Sequence, residues 1–206
     1  MSKFRTFIAI GISDAVRQKI ADVQAELKRE NARISWTKPE NIHVTLKFLG
    51  DVEESKIDSI AGVIQKVTEN IQSFTVKVKT LGAFPNLRRA RVLWMGLENV
   101  SAELTQIAEG IETGLSQLGF PKEERKFSPH LTIGRVKSAL SNRFVEKFQS
   151  YAFEGGEFKV EEIILMKSDL HPAGAIYTRL RKFGLINRQR TRMISQHNWN
   201  GSRKEK

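Results

Sequence analysis

The chain carries one four-residue pattern twice, as His43-Val44-Thr45-Leu46 and again as His130-Leu131-Thr132-Ile133. In both copies a histidine and a threonine alternate with apolar residues. Residues i and i+2 of a strand project from the same face, so the pattern predicts two strands that bury their aliphatic residues and present a His–Thr pair on the other face. If the two halves of the chain pack about a pseudo-twofold axis, both pairs face one shared groove.

Strand and helix patterns alternate on both sides of these segments. Strand patterns are predicted at 4–12, 42–49, 74–80, 91–97, 126–136, 158–166 and 176–182. Between them, apolar residues recur at helical spacing from Val16 to Leu27, over 54–70, and from Leu104 to Leu118, and a short helix is predicted around Phe144 and Phe148. Because the order strand, helix, strand begins again after position 90, we interpret the chain as a degenerate internal duplication.

The composition is that of a globular protein. Hydrophobic residues make up 40% and charged residues 28% of the 206 positions. The chain has no cysteine, which excludes thiolate catalysis and cysteine metal sites and fits a reducing compartment. No apolar run is long enough for a membrane span, and the first residues do not form a signal peptide. We therefore expect a cytoplasmic protein that does not bind membranes.

The positive charge is concentrated at the C-terminal end. The net charge is +11, which favours polyanionic partners such as nucleic acid. The last twenty residues hold six Lys and Arg residues and one acid, so the remaining body is only moderately basic. We predict one bilobal domain over 1–184, built from the duplicated strand–helix–strand halves, and a basic, flexible tail over 185–206.

The two histidines suit the cleavage of a phosphoester by acid–base catalysis. A neutral imidazole can take a proton from the attacking water while a protonated one gives a proton to the leaving oxygen, because the reference pKa is near 6.5. Threonine hydroxyls and nearby cations can bind the phosphoryl oxygens. The chain lacks a His-Glu-x-x-His motif, paired His-x-His and cysteine ligands. We therefore predict no metal and no cofactor.

Longer segments resemble one known family. They include RTFIAI (5–10), WTKPENIHVTLKFLGDV (36–52), LGAFPNLRRARVLWMGLE (81–98), KFSPHLTIGRV (126–136) and a closing segment with Pro172, Gly174 and Tyr177 at family-like spacing. With these residues the chain resembles the 2H phosphoesterase superfamily, and within it the RNA 2′,3′-cyclic phosphodiesterases historically called bacterial 2′-5′ RNA ligases. The resemblance extends from Phe4 to about Phe183 and leaves the tail uncovered.

The resemblance implies a bilobal α+β fold in which two antiparallel sheets, with helices outside, flank a central cleft. It also implies hydrolysis of RNA 2′,3′-cyclic phosphate ends to a 2′-phosphate without metal or cofactor. By resemblance, His43 is the proton donor to the departing 3′ oxygen and His130 the proton acceptor that activates water. Thr45 and Thr132 bind the phosphate. The expected partner is RNA with such an end, tRNA fragments included, and the enzyme is expected to be a monomer.

Three cations near the motifs are further candidates for substrate binding. Strict alternation turns Arg135 away from the second histidine, but Gly134 could permit a bulge that redirects it. Arg125 precedes the second motif and could line the cleft. Lys47 shares the face of the first His–Thr pair if the alternation continues.

Aromatic residues of the predicted strands are expected in the core. Trp36 and Trp94 could stack nucleobases, but aromatic side chains in strands usually pack inside, and the same holds for Phe48. His171 is given no catalytic role.

Other functions remain open from the residues alone. The same histidines could join a cyclic phosphate end to a 5′-hydroxyl through a 2′-5′ linkage, which is the reverse chemistry. The fold could also serve as a non-catalytic RNA- or nucleotide-binding module, or as a phosphodiesterase for small cyclic nucleotides. The abundance of water favours hydrolysis, and the presence of both motif histidines argues against a non-catalytic module.

Overall fold

The computed structural model describes residues 2–98, 102–172 and 174–187 of the chain. These residues form the strands β1 (Lys3–Gly11), β2 (Ile34–Trp36), β3 (His43–Glu53), β4 (Phe74–Phe84), β5 (Val92–Glu98), β6 (His130–Val136), β7 (Glu157–Val160), β8 (Glu162–Asp169) and β9 (Ile176–Gly184). The helices are α1 (Asp14–Lys28), α2 (Ile57–Thr68), α3 (Ala102–Gln117) and α4 (Asn142–Ser150). This mixture confirms the predicted α+β class.

The strands form one curled sheet with two lobes. Their order is β7-β4-β5-β6-β3-β1-β8-β9, with antiparallel neighbours, and β2 pairs with β6. The first lobe contains β3, β1, β8 and β9, and the second contains β2, β4, β5, β6 and β7. The lobes meet where β3 and β6 are in register at Val44 and Leu131. The two predicted antiparallel sheets are therefore present and are joined at the middle.

Each lobe collects elements from both halves of the sequence. The strand β4 pairs with β5 in the second lobe, and the late hairpin β8–β9 returns to pair with β1 in the first. Helix α1 packs on the second lobe, where Gln24 Nε2 donates to the carbonyl of Ile133 at 2.8 Å, and α3 packs on β3 of the first. The halves are therefore interlocked and do not form two contiguous strand–helix–strand units as the sequence pattern indicated.

The helices cover the sheet with the apolar faces that their spacing predicts. On α1 these buried residues are Val16, Ile20, Val23 and Leu27, and on α4 they are Phe144 and Phe148. Ser13 and Ser141 cap the two helices by accepting hydrogen bonds from the first turn. Burial of this apolar surface, at roughly 25 cal/mol per Å², is the main contribution to the stability of both lobes.

The folded body extends slightly beyond the predicted boundary at residue 184. Leu185 is buried and donates its amide to the carbonyl of Glu161 at 2.8 Å. Ile186 forms a parallel bridge with Gln72. The start of the predicted tail at residue 185 is therefore corrected, because residues 185 and 186 dock on the domain. Residues 188–206 lie outside the described part of the chain.

None of the helices in the described residues is long and apolar enough to cross a bilayer. The longest, α3, has 16 residues, whereas a spanning helix needs about 20 apolar residues.

Candidate active site

A β-bulge after the first His–Thr pair decides which side chains enter the cleft. The register between β1 and β3 steps from Thr45 to Lys47 and leaves Leu46 as an extra residue. A bulge of this kind reverses the alternation of the residues that follow it. Lys47 therefore turns into the core, and Phe48 turns to the cleft face.

A second bulge occupies the equivalent position of β6. Its register with β5 steps from Thr132 to Gly134 and leaves Ile133 as the extra residue. As a consequence Arg135 lies on the same face as Thr132 and is exposed there. The predicted redirection of Arg135 thus occurs, although the extra residue precedes Gly134. Phe48 and Arg135 occupy equivalent positions in the two lobes, although one side chain is aromatic and the other cationic.

The pairing of β3 with β6 brings the two motifs side by side. Val44 and Leu131 are fully buried and in register. In the antiparallel register that this pair sets, each histidine lies beside the threonine of the other strand. All four side chains, of His43, Thr45, His130 and Thr132, are partly exposed on the cleft face. The four side chains therefore share one face at the junction of the two strands.

Both imidazoles are held in the same orientation by a main-chain carbonyl. His43 Nδ1 lies 2.8 Å from the carbonyl oxygen of Asn41, and His130 Nδ1 lies 2.8 Å from that of Ser128. Because a carbonyl oxygen only accepts hydrogen bonds, Nδ1 carries the proton in both rings. Nε2 is therefore the atom of each ring that can accept a proton when the ring is neutral or give one when it is charged.

The environment of His43 favours its neutral form. Burial lowers the pKa of His43 below its ordinary value of 6.5, the carbonyl of Asn41 partly offsets this effect, and the charge of His130 adds to the lowering. The electrostatic contribution of His130 also indicates that the two rings are close. In the free protein the Nε2 atom of His43 therefore carries a lone pair at neutral pH.

Aromatic rings of the first lobe surround His43. Phe7 stacks on the imidazole with ring centroids 4.8 Å apart, and Tyr177 contacts it edge-on at 5.4 Å. Phe48 contacts Phe7 at 5.7 Å and is 54% exposed, so its predicted place in the core is wrong because the bulge turns it outward. Tyr177 was not singled out for a role from the sequence, since its distance from the motifs along the chain gives no local signal.

The second lobe places two aromatic rings around His130. Phe84 contacts the imidazole edge-on at 5.0 Å, and Trp94 lies 6.4 Å away. Trp94 is opposite Thr132 on the cleft face, so it forms the floor of the cleft and is not enclosed in the core as predicted. The indole crosses Gly82, where any Cβ would collide with the ring. Trp36 is partly buried against the core, as expected.

Lys47 is not available to a ligand in the cleft. Its Nζ donates to both carboxylate oxygens of Glu112, at 2.9 and 2.8 Å, and to the carbonyl of Pro121 at 2.9 Å. These contacts use all three ammonium protons, and the side chain is only 2% exposed. The predicted role in substrate binding is therefore wrong. Lys47 instead ties α3 and the segment that precedes His130 to β3.

The two candidate arginines are both exposed. Arg125 lies in the segment before β6, and its role in binding stays a prediction. The charge of Arg135, in the second lobe, acts on Tyr177 in the first lobe. Burial raises the pKa of Tyr177, while the charges of Arg135 and Arg5 oppose that rise. Arg135 of the second lobe is therefore close to a first-lobe side chain that contacts His43.

The described residues contain no group of three or more His, Asp or Glu side chains placed to hold a metal ion. The histidine Nδ1 atoms are engaged with carbonyls, and the cleft-face partners described above are hydroxyl, aromatic and guanidinium groups. Such a donor set is unlike the carboxylate and imidazole sites typical of catalytic metals. Metal independence nevertheless stays a prediction.

Comparisons with known proteins identify the family of the chain. The sequence matches the family described as LigT like Phosphoesterase over residues 10–94 and 96–177. It is 34% identical over 187 residues to the RNA 2′,3′-cyclic phosphodiesterase of Methanothermobacter thermautotrophicus, covering 89% of this chain and 100% of the relative. It is 39% identical over 184 residues to the protein of the same name from Methanocaldococcus jannaschii, with coverage of 87% and 99%.

Solved structures share the fold. The crystal structure of a Thermus thermophilus protein, TT0787, superimposes with a TM-score of 0.77 at 27% identity, covering 88% of this chain and 97% of that one. The Escherichia coli LigT structure complexed with 3′-AMP has a TM-score of 0.76 at 24% identity, with coverage of 90% and 100%. The second likeness concerns the architecture alone.

Proposed function

The chain belongs to the LigT-like phosphoesterase family of the 2H phosphoesterase superfamily, and on this basis we propose that it hydrolyses the 2′,3′-cyclic phosphate at the end of an RNA strand to a 2′-phosphate. The observation that carries the proposal is the junction of β3 and β6. The pairing of Val44 with Leu131 implies that His43 is opposite Thr132 and His130 opposite Thr45. Each imidazole has its Nδ1 atom held by a carbonyl, which leaves Nε2 for proton transfer. The relatives' names supply the substrate class.

In the proposed reaction, one imidazole removes a proton from water and the other donates a proton to the leaving oxygen. A neutral imidazole removes a proton from water through Nε2 as the water oxygen attacks phosphorus. The bond from phosphorus to O3′ breaks, and the protonated imidazole gives its Nε2 proton to O3′, while the bond to O2′ is kept. The two rings exchange protonation states over the reaction. The hydroxyls of Thr45 and Thr132 and the guanidinium of Arg135 stabilise the charge on the non-bridging oxygens.

The family resemblance assigns the donor role to His43 and the acceptor role to His130. Burial of His43 opposes this assignment in the free protein, because a donor must carry a proton and the pKa of His43 is lowered. A phosphate anion in the cleft would add a negative charge next to the ring and favour its charged form. We propose that substrate binding itself supplies the protonation that the donor role needs.

The pH dependence of kcat/KM should reflect the lowered pKa of His43. The pair works with one proton shared between two rings, and a second proton inactivates it because no base remains. Since the pKa of His43 lies below 6.5, this second protonation occurs below that value. We expect kcat/KM to stay constant from neutral to mildly acidic pH. Below that range it should fall about tenfold per pH unit. An acid limb at pH 7 or above would contradict this electrostatic description of the pair.

The overall reaction can be tested with a short RNA that ends in a 2′,3′-cyclic phosphate. We expect turnover in the presence of EDTA at the same rate as without it, and a product whose phosphorus resonance and chromatographic position identify a terminal 2′-phosphate. Loss of turnover on chelation and its recovery with a divalent ion would overturn the metal-free mechanism. Adding an RNA with a 5′-hydroxyl to the same reaction compares hydrolysis with 2′-5′ joining directly.

A further inference from the structure

The cleft face of the first lobe continues beyond His43 as a row of cationic and aromatic side chains. Phe7, which stacks on His43, is in register with Met166 of β8, and Met166 is in register with Arg179 of β9. Paired residues of neighbouring strands share a face. Arg179 is therefore on the cleft face and is exposed there.

Two further side chains belong to the same surface. Arg5 precedes Phe7 by two residues on β1, and Tyr177 precedes Arg179 by two residues on β9, so both also face the cleft. The Tyr177 ring lies 5.0 Å from Phe7, and the charge of Arg5 acts on its hydroxyl. Arg5, Tyr177 and Arg179, here called the arginine shelf, thus lie next to the catalytic pair.

The arginines of the shelf differ from the cations on the opposite face of the same hairpin. On that face Arg181 pairs with Asp58 at 3.6 Å. Within residues 2–98, 102–172 and 174–187, neither Arg5 nor Arg179 forms an ion pair, although Asp51 is in register with Arg5. Two arginines that share one face without an ion-pair partner leave positive charge there, and an anion bound between them would neutralise it.

We propose that the arginine shelf binds the 5′-phosphate of the nucleotide that carries the cyclic end, which in RNA is the phosphodiester leading to the rest of the strand. This inference rests on the proposed function, since the cyclic phosphate at the two histidines fixes where the nucleotide starts. One sugar separates the two phosphates, and Tyr177 of the shelf contacts His43 directly, with ring centroids 5.4 Å apart. Guanidinium groups match phosphate oxygens in a bidentate geometry, and the Tyr177 hydroxyl can donate a further hydrogen bond.

The shelf would make the enzyme prefer a cyclic phosphate at the end of an RNA strand over an isolated nucleoside 2′,3′-cyclic phosphate. A nucleoside 2′,3′-cyclic phosphate lacks the 5′-phosphate and would use the catalytic pair alone. The same compound with a 5′-phosphate would gain the contacts of the shelf, before any second nucleotide is added. Charge-assisted hydrogen bonds of this kind correspond to about tenfold or more in affinity.

Calorimetry with two product analogues tests the shelf without requiring turnover. The probes are adenosine 2′-monophosphate and adenosine 2′,5′-bisphosphate, which differ only in the 5′-phosphate. We expect the bisphosphate to bind about tenfold or more tightly to the wild-type protein, and this ratio to fall towards one in Arg5→Ala and Arg179→Ala. Arg181→Ala is the matched control, because it removes the same charge from the same strand on the opposite face, and it should keep the ratio.

Equal affinities for the two probes in the wild-type protein, or an equal loss of the ratio in Arg181→Ala, would overturn the proposal. The first result would mean that the shelf does not bind a phosphate, and the second that only the overall charge matters. The proposed function is measured separately as turnover of a short RNA that ends in a 2′,3′-cyclic phosphate. A preserved affinity ratio without turnover would refute the proposed function and leave the shelf supported.

Discussion

Replacing either His43 or His130 by alanine is expected to lower kcat/KM for a cyclic-phosphate oligonucleotide by about 10²–10⁴-fold, which is the usual contribution of one positioned acid or base. Each substitution removes the Nε2 atom that its ring presents beside the junction of β3 and β6. Both side chains are partly exposed on the cleft face, so truncation leaves the buried layer below them unchanged. The measurement is steady-state hydrolysis, with urea unfolding of each variant to check the fold.

His171→Ala is the matched control for these two variants. It removes an imidazole of the same size from the exposed segment between β8 and β9, and it should leave hydrolysis within about twofold of the wild-type rate because His171 belongs to neither His–Thr motif. Near-normal turnover by either the His43 or the His130 variant would refute the acid–base pair. A comparable loss in the His171 variant would also count against it.

Glu112→Ala is expected to destabilise the protein by about 3–5 kcal/mol, the range found when one partner of a buried ion pair is removed. The ammonium of Lys47, 2% exposed, would keep only the carbonyl of Pro121 as a partner. Glu112 also accepts the amide of Glu123 at 2.8 Å, so its loss releases the segment that leads to His130. Urea unfolding followed by circular dichroism measures the change.

The surface pair of Lys79 with Glu98, at 2.6 Å, provides the comparison. Glu98→Ala also deletes a carboxylate from an ion pair, but there the two side chains are 62% and 35% exposed. Such a pair contributes about 0–1 kcal/mol. Equal destabilisation by the two substitutions would show that the burial of Lys47 does not make its ion pair with Glu112 more stabilising than a surface ion pair.

The local pattern of the sequence was sufficient to predict the strands that carry the histidines and the buried faces of α1 and α4. Alternation with period two and apolar spacing near 3.6 are properties of neighbouring residues. The bulges at Leu46 and Ile133 are different, because an extra residue exists only relative to the partner strand. Strict alternation therefore assigned Lys47 and Phe48 to the wrong faces.

The local sequence pattern also could not predict which strands of the two halves pair in which lobe. Whether the hairpin β8–β9 pairs within its own half or with β1 depends on contacts that are distant along the chain. For the same reason Tyr177 on the last strand reaches His43 without any sequence signal near the motif. Nonlocal pairing thus decides which side chains surround the two motifs in the cleft.

A substrate with sulfur in place of the bridging O3′ atom tests most directly whether the two histidines divide the proton transfers. A thiol, with an ordinary pKa near 8.5, leaves as a thiolate without a proton, whereas an alcohol needs one. We predict that His43→Ala recovers most of its lost activity on the sulfur substrate, because the donor is no longer needed. His130→Ala should remain inactive on both substrates, because water still requires a base. Equal deficits of the two variants on both substrates would contradict this division of roles.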